Sequence, residues 1–281
     1  MVLSLDFLTG IPRIWSLRLV PSFLHIVMLL LILLSIRYWI VLGKARSLTP
    51  VFEFNPRRTT LELSPPVLLA LFWITYQLIN SMTAERLNAP LTLNLIIQSC
   101  SITLTLAAVL FLILAIVNRK SLPQLGFRLN DLGHQIREGG IGFLLALVPV
   151  MILLLATFPL RSEETLHPLL QLLKSDPGFA TVGWIFLSAV VAAPLFEELV
   201  YRVLLQSWLE GILSPIWSIL FSSLIFSVVH GFPDCIPLFP LAFLLGTLYY
   251  YRKSYLSIVL MHALFNAINF TLALTSQQSP A

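Results

Sequence analysis

The side chains able to do chemistry fall in three short stretches of an otherwise apolar second half. They are Ala193-Pro194-Leu195-Phe196-Glu197-Glu198-Leu199-Val200-Tyr201-Arg202, Phe226-Ser227-Val228-Val229-His230 and Met261-His262-Ala263-Leu264-Phe265-Asn266. A charge inside a bilayer is costly, so it must be paired, hydrated or functional. Two carboxylates, two imidazoles, a guanidinium and a carboxamide together can handle water and protons. Between Phe179 and Thr275 the only other Asp, Glu, Lys, Arg or His residues are Glu210, Asp234, Arg252 and Lys253, all at predicted helix ends.

Glu198 and Arg202 stand four apart, the spacing of an ion pair along one helix face. Glu197 is turned by ~100° from Glu198, so both carboxylates cannot serve one arginine equally. The expected division has Glu198 paired and ionised and Glu197 pointing into the bundle as the working base. The same triplet is compatible with an ion-pair patch near the interface. His230 alone fits a core histidine equally well. His262 and Asn266 share a face, which suits either a pair of donors or an interhelical hydrogen-bond clamp.

Two hydrolytic schemes use these groups. In one, a carboxylate and an imidazole share a water and take its proton, while His262 and Asn266 donate to an oxyanion. In the other, Glu197, His230 and His262 bind one divalent metal such as zinc, which acidifies the water. The short His-Glu-x-x-His motif is absent, so such ligands would come from three separate helices. No other cofactor is expected.

The elements that must position these residues are set by composition. The 281 residues are 58% hydrophobic and 11% charged, with a mean hydropathy of +0.91. Soluble domains carry about 25% charged residues. The reading is an all-α, polytopic transmembrane bundle of about eight helices, with the lipid bilayer as its solvent. Apolar runs lie near 22–42, 66–82, 91–117, 139–159, 179–209, 214–231, 236–251 and 256–275. The 179–212 stretch is longer than a ~30 Å hydrocarbon core requires, so it must tilt or protrude. Polar residues 52–58 separate the first two runs, and 118–138 reads as an amphipathic surface segment. The first apolar run reads as a retained anchor, not a cleaved signal.

The net charge of +4 is spread over loops and gives no nucleic-acid tract. Loops after the first, third, fifth and seventh runs hold ten Lys and Arg, against five in the opposite set. The positive-inside rule puts the richer set on the cytoplasmic side of a cell membrane and both termini outside. Cys100 and Cys235 form no metal or disulfide framework.

At these motifs the chain resembles the type II CAAX prenyl endopeptidases and their bacterial relatives, the CPBP or Abi intramembrane proteases. Glu197-Glu198-x-x-x-Arg202, Phe226-x-x-x-His230 and His262-x-x-x-Asn266 match that family's three motifs in order. Pro194 and Phe243-x-x-Gly246 are also similar, whereas Val203 stands where many members have glycine. The resemblance covers roughly 120–270. It divides the chain into family-divergent N-terminal transmembrane helices (1–119) and a catalytic membrane domain (120–275). It implies an eight-helix fold with a cavity open to the cytoplasm, and cleavage of membrane-anchored or prenylated peptides and proteins. It also implies that Glu197 and His230 activate water and that His262 with Asn266 stabilises the oxyanion. A non-proteolytic regulator, immunity or scaffold protein of the same fold is the alternative. A proton-coupled transporter is a third reading, for which no inverted repeat is visible.

Overall fold

The computed structural model describes residues 19–45, 60–83, 91–160 and 168–276. The polar stretch 52–58 lies outside them, as do Arg13, Arg18, Arg46, Arg57, Arg58, Arg86 and Arg161 of the loop-charge comparison. The described residues are 86% helical with no strand. Their helices are α1 (Leu19–Ala45), α2 (Pro65–Thr83), α3 (Leu93–Val117), α4 (Leu132–Thr157), α5 (Pro168–Ser175), α6 (Phe179–Ile212), α7 (Pro215–Val228), α8 (Cys235–Arg252) and α9 (Tyr255–Ser276).

Each apolar run holds a helix, and α5 is additional. Its eight residues were too few for a hydropathy reading. It is fixed by tertiary packing, with Leu172 and Leu173 buried in a cluster with Ile96, Ile185 and Phe270. Among the described residues, five helices can cross a membrane by length and apolarity: Phe23–Ala45, Leu93–Val117, Leu132–Leu160, Phe179–Ile212 and Tyr255–Thr275. Pro65–Ile79 and Pro215–Val228 are apolar but shorter, so the expected count of about eight is not confirmed.

Two boundaries differ from the sequence reading for local reasons. Helix α4 starts at Leu132 rather than near 139, because its first turns are buried against α9. There the Gln135 carboxamide accepts from Ser254 at 2.6 Å, and the Gln135 carbonyl accepts from Ser257 at 2.9 Å. Residues 118–131 form a short 3₁₀ helix at Arg119–Ser121 followed by turns and extended chain; Gly126, at φ 100°, lets its carbonyl accept from the Tyr255 amide. Helix α7 stops at Val228, and the chain turns through Gly231 at φ 74°.

Helix α4 runs through the middle of the bundle, packed on α1, α8 and α9, while α7 packs on α8. Pro149 inside α4 cannot donate to the Leu145 carbonyl one turn back. The Trp39 indole of α1 donates to that carbonyl at 3.0 Å instead. In lipid a proline-freed carbonyl needs a donor from a neighbour.

One end of the bundle carries a buried polar layer. Lys253 caps α8 in the left-handed region at φ 41°, strain on the order of 1–3 kcal/mol. Its ammonium lies 2.7 Å from Glu210 at the end of α6, and the Arg128 guanidinium donates to the Arg252 and Lys253 carbonyls. Burial holds the Lys253 ammonium below the usual lysine range, and the Glu210 carboxylate opposes that shift. Arg252 pairs with Glu138 of α4 at 2.6 Å.

Close approach of α4 to α9 depends on Gly139, where an added Cβ would lie 2.7 Å from the Ser257 carbonyl oxygen. At neighbouring Gly140 a Cβ meets nothing within 4 Å. Gly139→Ala is therefore expected to destabilise by about 1–3 kcal/mol. Gly140→Ala is expected to stabilise by roughly 0.5–1 kcal/mol. Thermal melting of the two variants in detergent checks the opposite signs.

Candidate active site

Helix α6 carries the two glutamates and the arginine, and it is not a uniform α-helix. Residues Leu187–Ala192 and Leu199–Gln206 are π-helical, separated by an α-helical stretch at Ala193–Glu198. Such i→i+5 widening often occurs at functional sites. With more than four residues per turn, positions four apart stand nearly in line, which suits Glu198 and Arg202.

Neighbouring helices supply donors to carbonyls along α6. The Tyr255 hydroxyl donates to Leu195, Ser222 donates to Tyr201 at 2.8 Å, and the Asn266 amide donates to Ala189 at 2.8 Å. These bonds set the roll and height of α6 against α7 and α9.

Glu198 and Arg202 are completely buried, with Nε 3.4 Å from Oε2. Their contact is electrostatic, because neither of those atoms has a hydrogen bond and neither do the two terminal guanidinium nitrogens. The guanidinium instead lies 4.5 Å from the centroid of Phe226, a cation–π placement that gains strength when desolvated. The other Glu198 oxygen accepts from His262 Nδ1 at 2.8 Å. Across the ring, His262 Nε2 faces Glu197 Oε2 at 3.8 Å. One imidazole thus stands between two carboxylates, one fully buried and one 24% exposed.

His230 sits in the turn after α7, exposed, with Nδ1 2.6 Å from the Phe226 carbonyl. A carbonyl can only accept, so Nδ1 carries the proton and Nε2 is the free nitrogen. The His230 and His262 rings both pack on Phe226, at centroid distances of 4.7 and 5.8 Å. The structure therefore joins Glu197, Glu198, Arg202, His230 and His262 into one cluster around Phe226. Asn266 lies one turn beyond His262, and its recorded bond is to the backbone of α6.

Residues 179–268 match the family model of the type II CAAX prenyl endopeptidase Rce1-like proteins. That span contains all six chemistry-bearing residues. No curated protein and no solved structure matches the chain.

The Rce1-like match leaves the metal scheme to the donors themselves. Among the described residues no three His, Cys, Asp or Glu side chains are placed to hold a metal ion. His262 Nδ1 is engaged by Glu198, and His230 Nδ1 by a backbone carbonyl. Glu197, His230 and His262 as arranged do not form a ligand set, and no step is derived through a metal.

Sequence reasoning named Phe226 only as a motif residue and missed its contacts with Arg202, His230 and His262; it placed Glu210 and Lys253 at helix ends but missed their pairing. Opposite charges at the ends of two runs facing one membrane side were the available signal.

Removing one partner of a buried pair strands the other charge. Arg202→Ala should cost about 3–5 kcal/mol. Glu197→Gln, at a partly exposed carboxylate whose nearest charged neighbour is His262 at 3.8 Å, should change stability by about 1 kcal/mol or less. Melting temperatures of both variants in one detergent test that order.

Proposed function

We propose that this chain is a multi-pass intramembrane endopeptidase that hydrolyses membrane-associated peptides or proteins with water activated by a carboxylate and imidazoles. The observation that carries this reading is His262 held between Glu198 at 2.8 Å and Glu197 at 3.8 Å. Prenylated or otherwise membrane-anchored polypeptides are the proposed substrates. The proposed topology has about eight membrane passages, and the cluster opens towards the cytoplasm.

Glu197 is the general base. It is the more exposed carboxylate of the pair and lies within reach of a water that also touches His262 Nε2. Taking one proton from that water creates the nucleophile for the scissile carbonyl carbon. His230, with its Nε2 lone pair free, orients the same water. Glu198 fixes the His262 ring through Nδ1. When the ring carries its second proton, Nε2–H donates to the oxyanion of the tetrahedral intermediate. Collapse breaks the C–N bond, and Glu197 returns the proton to the departing amine. Arg202 keeps Glu198 ionised and oriented.

Two measurements test the scheme. Purified protein is incubated with a panel of membrane-anchored peptides, wild type beside Glu197→Gln. Turnover should fall by ~10²-fold or more while the variant remains folded. Near-normal cleavage by that variant transfers the base role to Glu198, and indifference to both glutamates favours the non-proteolytic regulator. In the second measurement, cleavage is expected to persist in chelator. Stoichiometric zinc in active protein, with activity lost on its removal and restored on its return, assigns Glu197, His230 and His262 to a metal instead.

A further inference from the structure

Asn266 is the one chemistry-bearing residue whose recorded bond points away from the cluster. Its amide donates to the Ala189 carbonyl at 2.8 Å, inside the first π-helical segment of α6. The reason lies in the local register. The Ala193 amide bonds to Ser188, five residues back. The next amide in that register would serve Ala189, but position 194 is proline and has no N–H. Ala189 therefore lacks the donor that the register would give it, and α9 supplies one. Trp39 makes the same repair at Leu145, the carbonyl freed by Pro149 in α4.

The repair has a geometric consequence at the site. Helices α6 and α9 are joined by two cross-links, Asn266 to Ala189 and His262 to Glu198. The first lies where α6 is wide, immediately before Ala193–Glu198. It fixes how far α6 is rolled when Glu197 and Glu198 reach His262. We infer that Asn266 is a positioning residue: it completes the proline-broken π register of α6 and so sets the two glutamates against His262. This rests on the endopeptidase reading for its catalytic consequence, but not for the clamp itself.

The test uses the proline as well as the asparagine. Asn266→Leu removes the donor, and Pro194→Ala restores a backbone N–H where Ala189 needs one. Four full-length proteins are compared: wild type, each single variant and Asn266→Leu/Pro194→Ala. Two readouts are taken, cleavage of a membrane-anchored peptide across pH and the ¹⁵N signals of the His262 imidazole. Asn266→Leu should lower kcat by ~10²-fold, the scale expected for a misplacement of about 1 Å. It should also shift the pH profile and move the His262 Nδ1 signal. The double variant should regain roughly tenfold of that activity, as coupled sites do, with the imidazole signal returning towards wild type. An oxyanion donor cannot be replaced by an N–H inside α6. A double variant as inactive as Asn266→Leu, or a His262 signal unmoved by Asn266→Leu, overturns the inference. If wild type cleaves no peptide, the endopeptidase reading fails, and the clamp is judged by the imidazole signal and by melting. The double variant should then melt above Asn266→Leu, and equal or lower melting overturns the clamp.

Discussion

A guanidinium with no access to water, set against one carboxylate and one aromatic ring, is the constraint around which this bundle is arranged. Arg202 is completely buried, with the Glu198 carboxylate 3.4 Å from its Nε and the Phe226 ring centroid 4.5 Å from the guanidinium. Such a pair contributes little net stability, because desolvating both charges offsets most of their attraction. Its worth is positional. Glu198, fixed by Arg202 on one oxygen, can fix His262 through the other, and the neutral face of Phe226 brings His230 to the same place. The geometry of the cluster follows from where one arginine is kept.

The backbone of α6 has to pay attention to the same lipid constraint. Widening a helix changes which amide meets which carbonyl, and an unserved carbonyl in a bilayer is costly. Donors therefore arrive from outside: Asn266 and Tyr255 from α9 and Ser222 from α7. These cross-links satisfy the backbone, and they also bind α6 to the helices that carry the histidines. Irregular helix and active-site placement are one problem with one solution here.

Much of this was legible in the residues. The apolar runs located eight helices, because a bilayer demands long uninterrupted apolarity. The three motifs located the cluster, since a buried charge needs a partner. The four-residue spacing of Glu198 and Arg202 anticipated their contact. What was not legible depends on tertiary context. The helix α5 is too short to announce itself. The early start of α4 rests on Gln135 meeting Ser254 and Ser257, more than a hundred residues away. The π register is invisible to a 3.6-residue periodicity. Nor was the common support of the two imidazoles legible: α7 ends early, at Val228, and both rings pack on Phe226.

The polar layer at the far end of α6 bears on the site through rigid elements. Glu210 ends α6 and holds Lys253, and two residues later Tyr255 begins α9 and donates back to Leu195 of α6. Within that short span, the turn leading into α9 is tied to α6 on both sides of the segment from Glu197 to Arg202. Ser254 and Ser257 tie the same turn of α9 to α4 through Gln135. His262 lies less than two turns further along α9, so its height is fixed by bonds that belong to the bundle end. The left-handed backbone at Lys253 is tolerated for this reason: it turns α8 sharply into α9 while the Glu210 ion pair and the Arg128 bonds hold the turn. Strain at the interface is exchanged for an imidazole held at a defined height between two carboxylates.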